Sequence, residues 1–252
     1  MKYFVSIFLF ISCFLPATAQ QDVPQTSQTI DVPRVYAVIV GISRYDDPDI
    51  PKLQFANKDA EVFADFLRSK AGGSVPNENI RLLTDSEASI AAVHMAIKWL
   101  VRTCKKGDMV FFYFSGHGDL ESISMYNNAY LICYNSPLES YVGMSLSVSY
   151  LNDIANTLSA KTGASVVLIT DACHSGKMAD AKVNALVGQQ LMDSKEKEIR
   201  IASCEPAHLS NEKADWGGGR EAWFSICLEG HLRRQLFEGF KRVHIFIIEH
   251  KF

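Results

Sequence analysis

Met109-Val110-Phe111-Phe112-Tyr113-Phe114-Ser115-Gly116-His117-Gly118 and Val166-Val167-Leu168-Ile169-Thr170-Asp171-Ala172-Cys173-His174-Ser175-Gly176 decide the reading of this chain. Each is an apolar run of strand length that breaks at small residues and then presents one reactive side chain, His117 in the first and Cys173 in the second. Open parallel sheets place their chemistry outside the carboxyl ends of the strands. A thiol needs a nearby base or cation to become thiolate at neutral pH, and a histidine from another strand of the same sheet supplies it. The pair predicts a nucleophilic site in which His117 takes the thiol proton of Cys173 and returns one to the leaving amine. Taken singly, a buried cysteine is more often inert packing and a strand-end histidine more often structural. The glycines on both sides of His117 favour chemistry, because they let a substrate backbone come close.

The flanking sequence alternates strands and helices. Residues 35–41 are a continuous apolar run fit for a buried strand, 80–84 make a second short strand, and further strands are expected over 108–115, 165–170 and 199–203. Helical spacing recurs over 56–70 (Ala56, Ala60, Phe63, Phe66, Leu67), closed by Gly72-Gly73, then over 87–103 and 148–159. Residues 43–51 hold three aspartates and two prolines and read as a loop, and 129–134 read as a small hairpin arm. This order implies right-handed crossovers and an α/β architecture, a mostly parallel sheet with helices on both faces. No internal repeat or low-complexity segment interrupts it.

With 252 residues and 48% hydrophobic content the chain has apolar material for one sizeable core and is short for two. A net charge of -3 with interspersed signs gives no basic footprint, which argues against nucleic acid as a partner. Residues 1–19 read as a signal peptide: Lys2, an apolar run through Leu15, and Ala17-Thr18-Ala19 where a signal peptidase cuts. The run is too short for a comfortable membrane span, so no stable insertion is expected after cleavage and the mature chain is expected to be periplasmic or secreted. A lipid anchor on Cys13 is disfavoured by Phe10, where such a site wants leucine. Residues 20–33 are polar, hold Pro24 and Pro33, and read as a flexible lead-in. Without Cys13 the cysteines are Cys104, Cys133, Cys173, Cys204 and Cys227, an odd number without regular spacing. They predict neither a zinc site nor an obligatory disulfide framework.

The order of a histidine followed about 50 residues later by the cysteine is the caspase order. Ser115-Gly116-His117-Gly118 and Asp171-Ala172-Cys173-His174-Ser175-Gly176 closely resemble the metacaspase and bacterial caspase-like branch. The resemblance runs from about residue 34 to 232 and implies a caspase-like three-layer sandwich over 34–252. In it, 34–176 resembles the large-subunit part, 177–197 a connector and 198–252 the small-subunit part, with an atypical tail at 233–252. It implies a cysteine-type endopeptidase with an oxyanion hole made by the backbone N–H groups of Gly118 and Cys173, each donor worth about 3 kcal/mol in the transition state. Animal caspases carry glutamine two residues before the nucleophile where this chain has Asp171, so their aspartate specificity is not implied. In metacaspases the specificity pocket holds residues that match Asp59, Ser115 and Asp171. An anionic pocket favours Arg or Lys before the scissile bond, though Asp59 also suits the start of any helix.

Some metacaspases need calcium, and Asp46, Asp47, Asp49, Asp119 and Glu121 offer oxygen ligands; acid-rich loops are usually only solvated and no EF-hand spacing is present, so no cofactor or metal is assigned. Gly217-Gly218-Gly219 follow no strand and lack the lysine of a phosphate loop. A serine hydrolase built on Ser175 lacks the Gly-x-Ser-x-Gly elbow. The family likeness extends through Ser210-Asn211-Glu212 and Trp216-Gly217-Gly218-Gly219-Arg220, landmarks expected to line the substrate cleft, and then fades. The apolar stretch 243–248 is either a last strand or part of an altered end. A catalytically impaired caspase-fold binding or scaffold protein is therefore the alternative.

Overall fold

Apolar runs bounded by turn residues become the strands of one central sheet. The computed structural model describes residues 33–121, 124–173, 190, 198–202 and 243–246. In chain order its elements are β1 (Val35–Gly41), α1 (Ala56–Arg68), β2 (Ile80–Thr84), α2 (Ile90–Thr103), β3 (Met109–Leu120), β4 (Ala129–Leu131), β5 (Leu146–Ser147), α3 (Val148–Asn156), β6 (Ser165–Cys173), β7 (Glu198–Ala202) and β8 (Val243–Phe246). The main sheet has the order β2-β1-β3-β6-β7-β8, with every neighbouring pair parallel. β4 adds antiparallel to the end of β3, and β5 to β4.

The period-two alternation of the strands sorts the core into two layers. Ala37, Ile39, Phe111, Tyr113, Val167, Ile169, Ile199 and Ile201 meet Ala60, Phe63 and Leu67 of α1 on one face. Val38, Val40, Val110, Phe112, Phe114, Val166 and Leu168 meet Val93, Ile97 and Leu100 of α2 and Leu151 and Ala155 of α3 on the other. Helices therefore cover both faces, as caspase-like sandwiches require. α1 approaches β1 at Gly41, where an added Cβ would stand 2.4 Å from both the Ala56 carbonyl oxygen and the Ala60 Cβ. Only glycine allows the first turn of α1 to lie this close to the carboxyl end of β1.

Several boundaries differ from those expected of the sequence, each for a local reason. α2 begins at Ile90 and not at residue 87, because residues 85–87 form a 3-10 turn and Ser89 caps the helix by accepting the Ala92 N–H at 3.3 Å. β3 runs on through the glycines to Leu120, since β4 lies in antiparallel register with Gly118, Asp119 and Leu120. β6 follows it through Cys173. α3 ends at Asn156 and continues as a wider π-helical turn, Thr157–Thr162, closed by Gly163 in the left-handed region. The apolar stretch in the tail forms β8, parallel to β7. No helix among the described residues is long and apolar enough to cross a membrane.

Candidate active site

The ladder between β3 and β6 pairs Ser115 with Asp171, Gly116 with Ala172 and His117 with Cys173. Neighbouring strands lie about 4.8 Å apart, so the backbones of the expected base and nucleophile are adjacent at the carboxyl edge of the sheet. Ser115 is in turn the register partner of Gly41 in β1. By alternation Ser115 and Asp171 continue the face of Tyr113 and Ile169, which α1 covers. Phe63 of α1 stacks on Tyr113 with ring centroids 4.9 Å apart, and Asp59 lies one helical turn toward the N-terminus from Phe63, toward the carboxyl ends of the strands. Asp59, Ser115 and Asp171 are all buried. The fold thus brings the three expected pocket residues to one face, one step before the histidine and cysteine.

His117 is 6% exposed and held from three directions. Its backbone N–H donates to the Tyr45 hydroxyl at 2.8 Å, its carbonyl accepts from Ile132 N–H at 2.9 Å, and its ring stacks on Tyr45 at 5.2 Å with 28° between the planes. Nε2 lies 2.8 Å from the Pro51 carbonyl oxygen. A carbonyl only accepts, so Nε2 carries the proton of the neutral ring and Nδ1 is its basic nitrogen. The partner of Nε2 is thus the Pro51 carbonyl, and a backbone oxygen leaves no mark in a sequence. Tyr45 was likewise unmarked within its loop.

The backbone of β3 also fixes where Gly118 points. Ser115 and His117 turn their carbonyls to Ile42 and Ile132, toward β1 and β4. Gly118 alternates with them, so its N–H turns to the side of β6, one residue past the last ladder pair. For Cys173 the description covers the backbone, and His174, residues 210–212 and residues 216–220 lie outside the described residues.

The loop acids serve local backbone groups. Asp47 accepts N–H bonds from Leu138 and Asp49, which hold its carboxyl below the usual range despite a small opposing effect of burial. Asp119 accepts from Leu120 N–H, while Glu121 clamps its hairpin through Ser124 and Asn128. Among the described residues no three His, Cys, Asp or Glu side chains gather as metal ligands. Gln190 is the one described residue between 174 and 197, and it is docked: its amide accepts from Ala129 N–H at 2.8 Å and donates to Asn127 carbonyl at 2.9 Å. Lys177, Lys182, Lys195 and Lys197, which would make the connector open to self-cleavage, lie outside the described residues.

Comparison with known proteins identifies the family. Metacaspase-2 of Arabidopsis thaliana is 30% identical over 152 residues, 57% of this chain and 35% of its own length. Metacaspase-1A of Aspergillus oryzae is 32% identical over 88 residues, 32% of this chain and 20% of its own. The chain spans about a third or less of the length of these curated relatives. Among solved structures, caspase-1 from Spodoptera frugiperda superposes with a TM-score of 0.51 at 15% identity, covering 82% of this chain and 71% of that one, a likeness of fold. The caspase domain itself matches residues 34–244, which takes in every described strand, the last in part. On that match the chain belongs to the caspase domain family of peptidases.

Proposed function

We propose that the chain is an exported cysteine-type endopeptidase that cleaves proteins or peptides after Arg or Lys. The observation that carries the reading is the pairing of His117 with Cys173 at the carboxyl edge of β3 and β6. In the first half-reaction His117 removes the thiol proton and the Cys173 sulfur attacks the carbonyl carbon of the scissile bond. The carbonyl oxygen takes the negative charge, for which Gly118 N–H and Cys173 N–H are the proposed donors. The C–N bond then breaks, His117 protonates the departing amine, and a thioester remains. Water, deprotonated by His117, attacks the thioester, the C–S bond breaks, and the thiol recovers its proton.

The row Ser115–Asp171 beneath Asp59 supports the basic preference, since two buried carboxylates favour a cationic side chain and repel an anionic one. Export rests on the composition of residues 1–19, outside the described residues. The test is a fluorogenic panel differing only in Arg, Lys or Asp before the reporter, assayed with and without calcium against the parent chain and Cys173→Ala. Cleavage of the Arg and Lys peptides by the parent alone is the expected result. Equal cleavage of the Asp peptide would remove the pocket assignment, and no cleavage by a folded chain would favour a binding or scaffold role.

A further inference from the structure

Resting on the peptidase reading above, we propose that Tyr45 is a positioning residue: it fixes the imidazole of His117 and thereby sets the rate of the chemical step, not the affinity for substrate. Tyr45 is buried, and it engages His117 twice, through its hydroxyl to the backbone N–H at 2.8 Å and through its ring to the face of the imidazole. The first contact fixes the Cα of the histidine and the second fixes the plane of its ring. Pro51, six residues on in the same loop, fixes the tautomer through Nε2. One loop therefore controls position, plane and protonation of the base.

The loop is itself tied down on both sides of Tyr45. Asp85, beyond the end of β2, accepts the N–H groups of Ser43 and Arg44 at 2.8 and 3.0 Å on one carboxylate oxygen. Its other oxygen receives the Arg44 guanidinium, and Asn57 at the start of α1. After Tyr45, Asp46 N–H donates to the Tyr134 carbonyl at 3.0 Å and Asp47 is held by Leu138 N–H. The hydroxyl also requires room: a Cβ on Gly116 would stand 3.0 Å from the Tyr45 oxygen. Glycine at 116 therefore serves the approach of Tyr45 to His117 as well as that of a substrate. The stack has a chemical consequence too, since an aromatic face is attracted to the imidazolium that forms when the thiol gives up its proton.

A displacement of about 1 Å in a catalytic group can cost on the order of a hundredfold in rate. Tyr45→Phe keeps the ring and loses the hydroxyl, and its near-identical shape preserves the fold; Tyr45→Leu loses both. Tyr45→Phe is expected to lower kcat about tenfold and Tyr45→Leu about a hundredfold, with KM unchanged within about twofold in each. A second measurement does not depend on turnover. The 15N spectrum of the His117 ring, identified by its absence in His117→Gln, is expected to show one tautomer protonated at Nε2 in the parent chain and, because the unstacked ring turns away from the Pro51 carbonyl, a mixture in Tyr45→Leu. A folded Tyr45→Leu chain that keeps the single tautomer, or variants that raise KM while kcat holds, would overturn the proposal. A parent chain that cleaves no peptide would instead remove the peptidase reading, and the nitrogen spectra would still decide whether Tyr45 orients His117.

Discussion

Asp171 stands directly across from Ser115 in the β3–β6 ladder, two residues before Cys173 just as Ser115 is two residues before His117. The equal spacing in both strands means that one register sets both rows. A shift that separated the nucleophile from its base would also separate the acid from the serine. The proposed specificity pocket and the proposed catalytic pair are thus coupled through backbone pairing.

Asp171→Asn tests the pocket without disturbing that pairing. Loss of one charge-assisted hydrogen bond, worth about 1.5–3 kcal/mol, is expected to raise KM for Arg peptides by roughly tenfold or more. Alkylation of Cys173 by iodoacetamide should proceed at the parent rate, because the role proposed for the carboxylate is to bind substrate, not to activate the thiol. Unchanged KM in the folded variant would place Asp171 outside the pocket.

The thiols differ in a way that mass spectrometry can read. Burial, with the Asp108 charge adding to it, pushes the Cys104 thiol up from 9.0 to about 12. Burial does the same to Cys133, also to about 12, against a smaller opposing effect of the Leu146 backbone. Near neutral pH neither forms thiolate, so iodoacetamide on the native chain is expected to label Cys173 and spare Cys104 and Cys133 until denaturant is added. The sign for stability follows from linkage. The folded state keeps protons that the unfolded state releases, so both thiols subtract stability as pH rises from about 9 toward 12. Early labelling of either in the native chain would contradict their burial.

Gly41→Ala probes how tightly α1 is seated on β1. The added methyl would meet the Ala56 carbonyl and the Ala60 Cβ at 2.4 Å, both backbone-fixed, so the helix must move. Overpacking of this kind costs about 1–3 kcal/mol. Because Asp59 rides on the first turn of the same helix, the variant should also weaken discrimination between Arg and Asp peptides. A denaturant midpoint unchanged from the parent would show that α1 has slack there.

Strands carried by their own residues were legible: β1 lies where a continuous apolar run predicts, because burial of all but its first residue leaves nothing else for Val35–Gly41 to do, and β2 follows at Ile80–Thr84 as expected. Boundaries set by a distant partner were not. Gly116 and Gly118 are poor strand formers, and only the pairing of Gly118 with Leu131 shows that β3 continues through them. His117, Cys173, Ser115 and Asp171 could be singled out in the sequence because side chains mark them, and the register sets them in adjacent pairs. The Pro51 carbonyl could not, since every residue owns one, and Tyr45 resembled any other loop aromatic until its ring was found on the histidine.

β7 carries an ion pair whose cost and worth can be separated. Glu198 and Arg200 alternate with Ile199 and Ile201 along the strand, and their side chains are 0% and 2% exposed, joined at 2.8 Å. Arg200 also donates to Asn152 of α3, Ser159 donates to Glu198 at 3.5 Å, and Asn152 reaches the Gln190 carbonyl at 3.2 Å. Charges this deep are expensive to desolvate, so the pair itself need add little net stability, whereas removing one partner strands the other. Arg200→Met is expected to destabilise the chain by about 3–5 kcal/mol, while the double variant Glu198→Leu with Arg200→Met recovers most of that loss. Urea melts of the parent, both single variants and the double variant measure the coupling directly. Additive losses in the double variant would mean that each side chain is held mainly by its α3-side partners, and that β7 docks through Asn152 and Ser159 more than through its own ion pair.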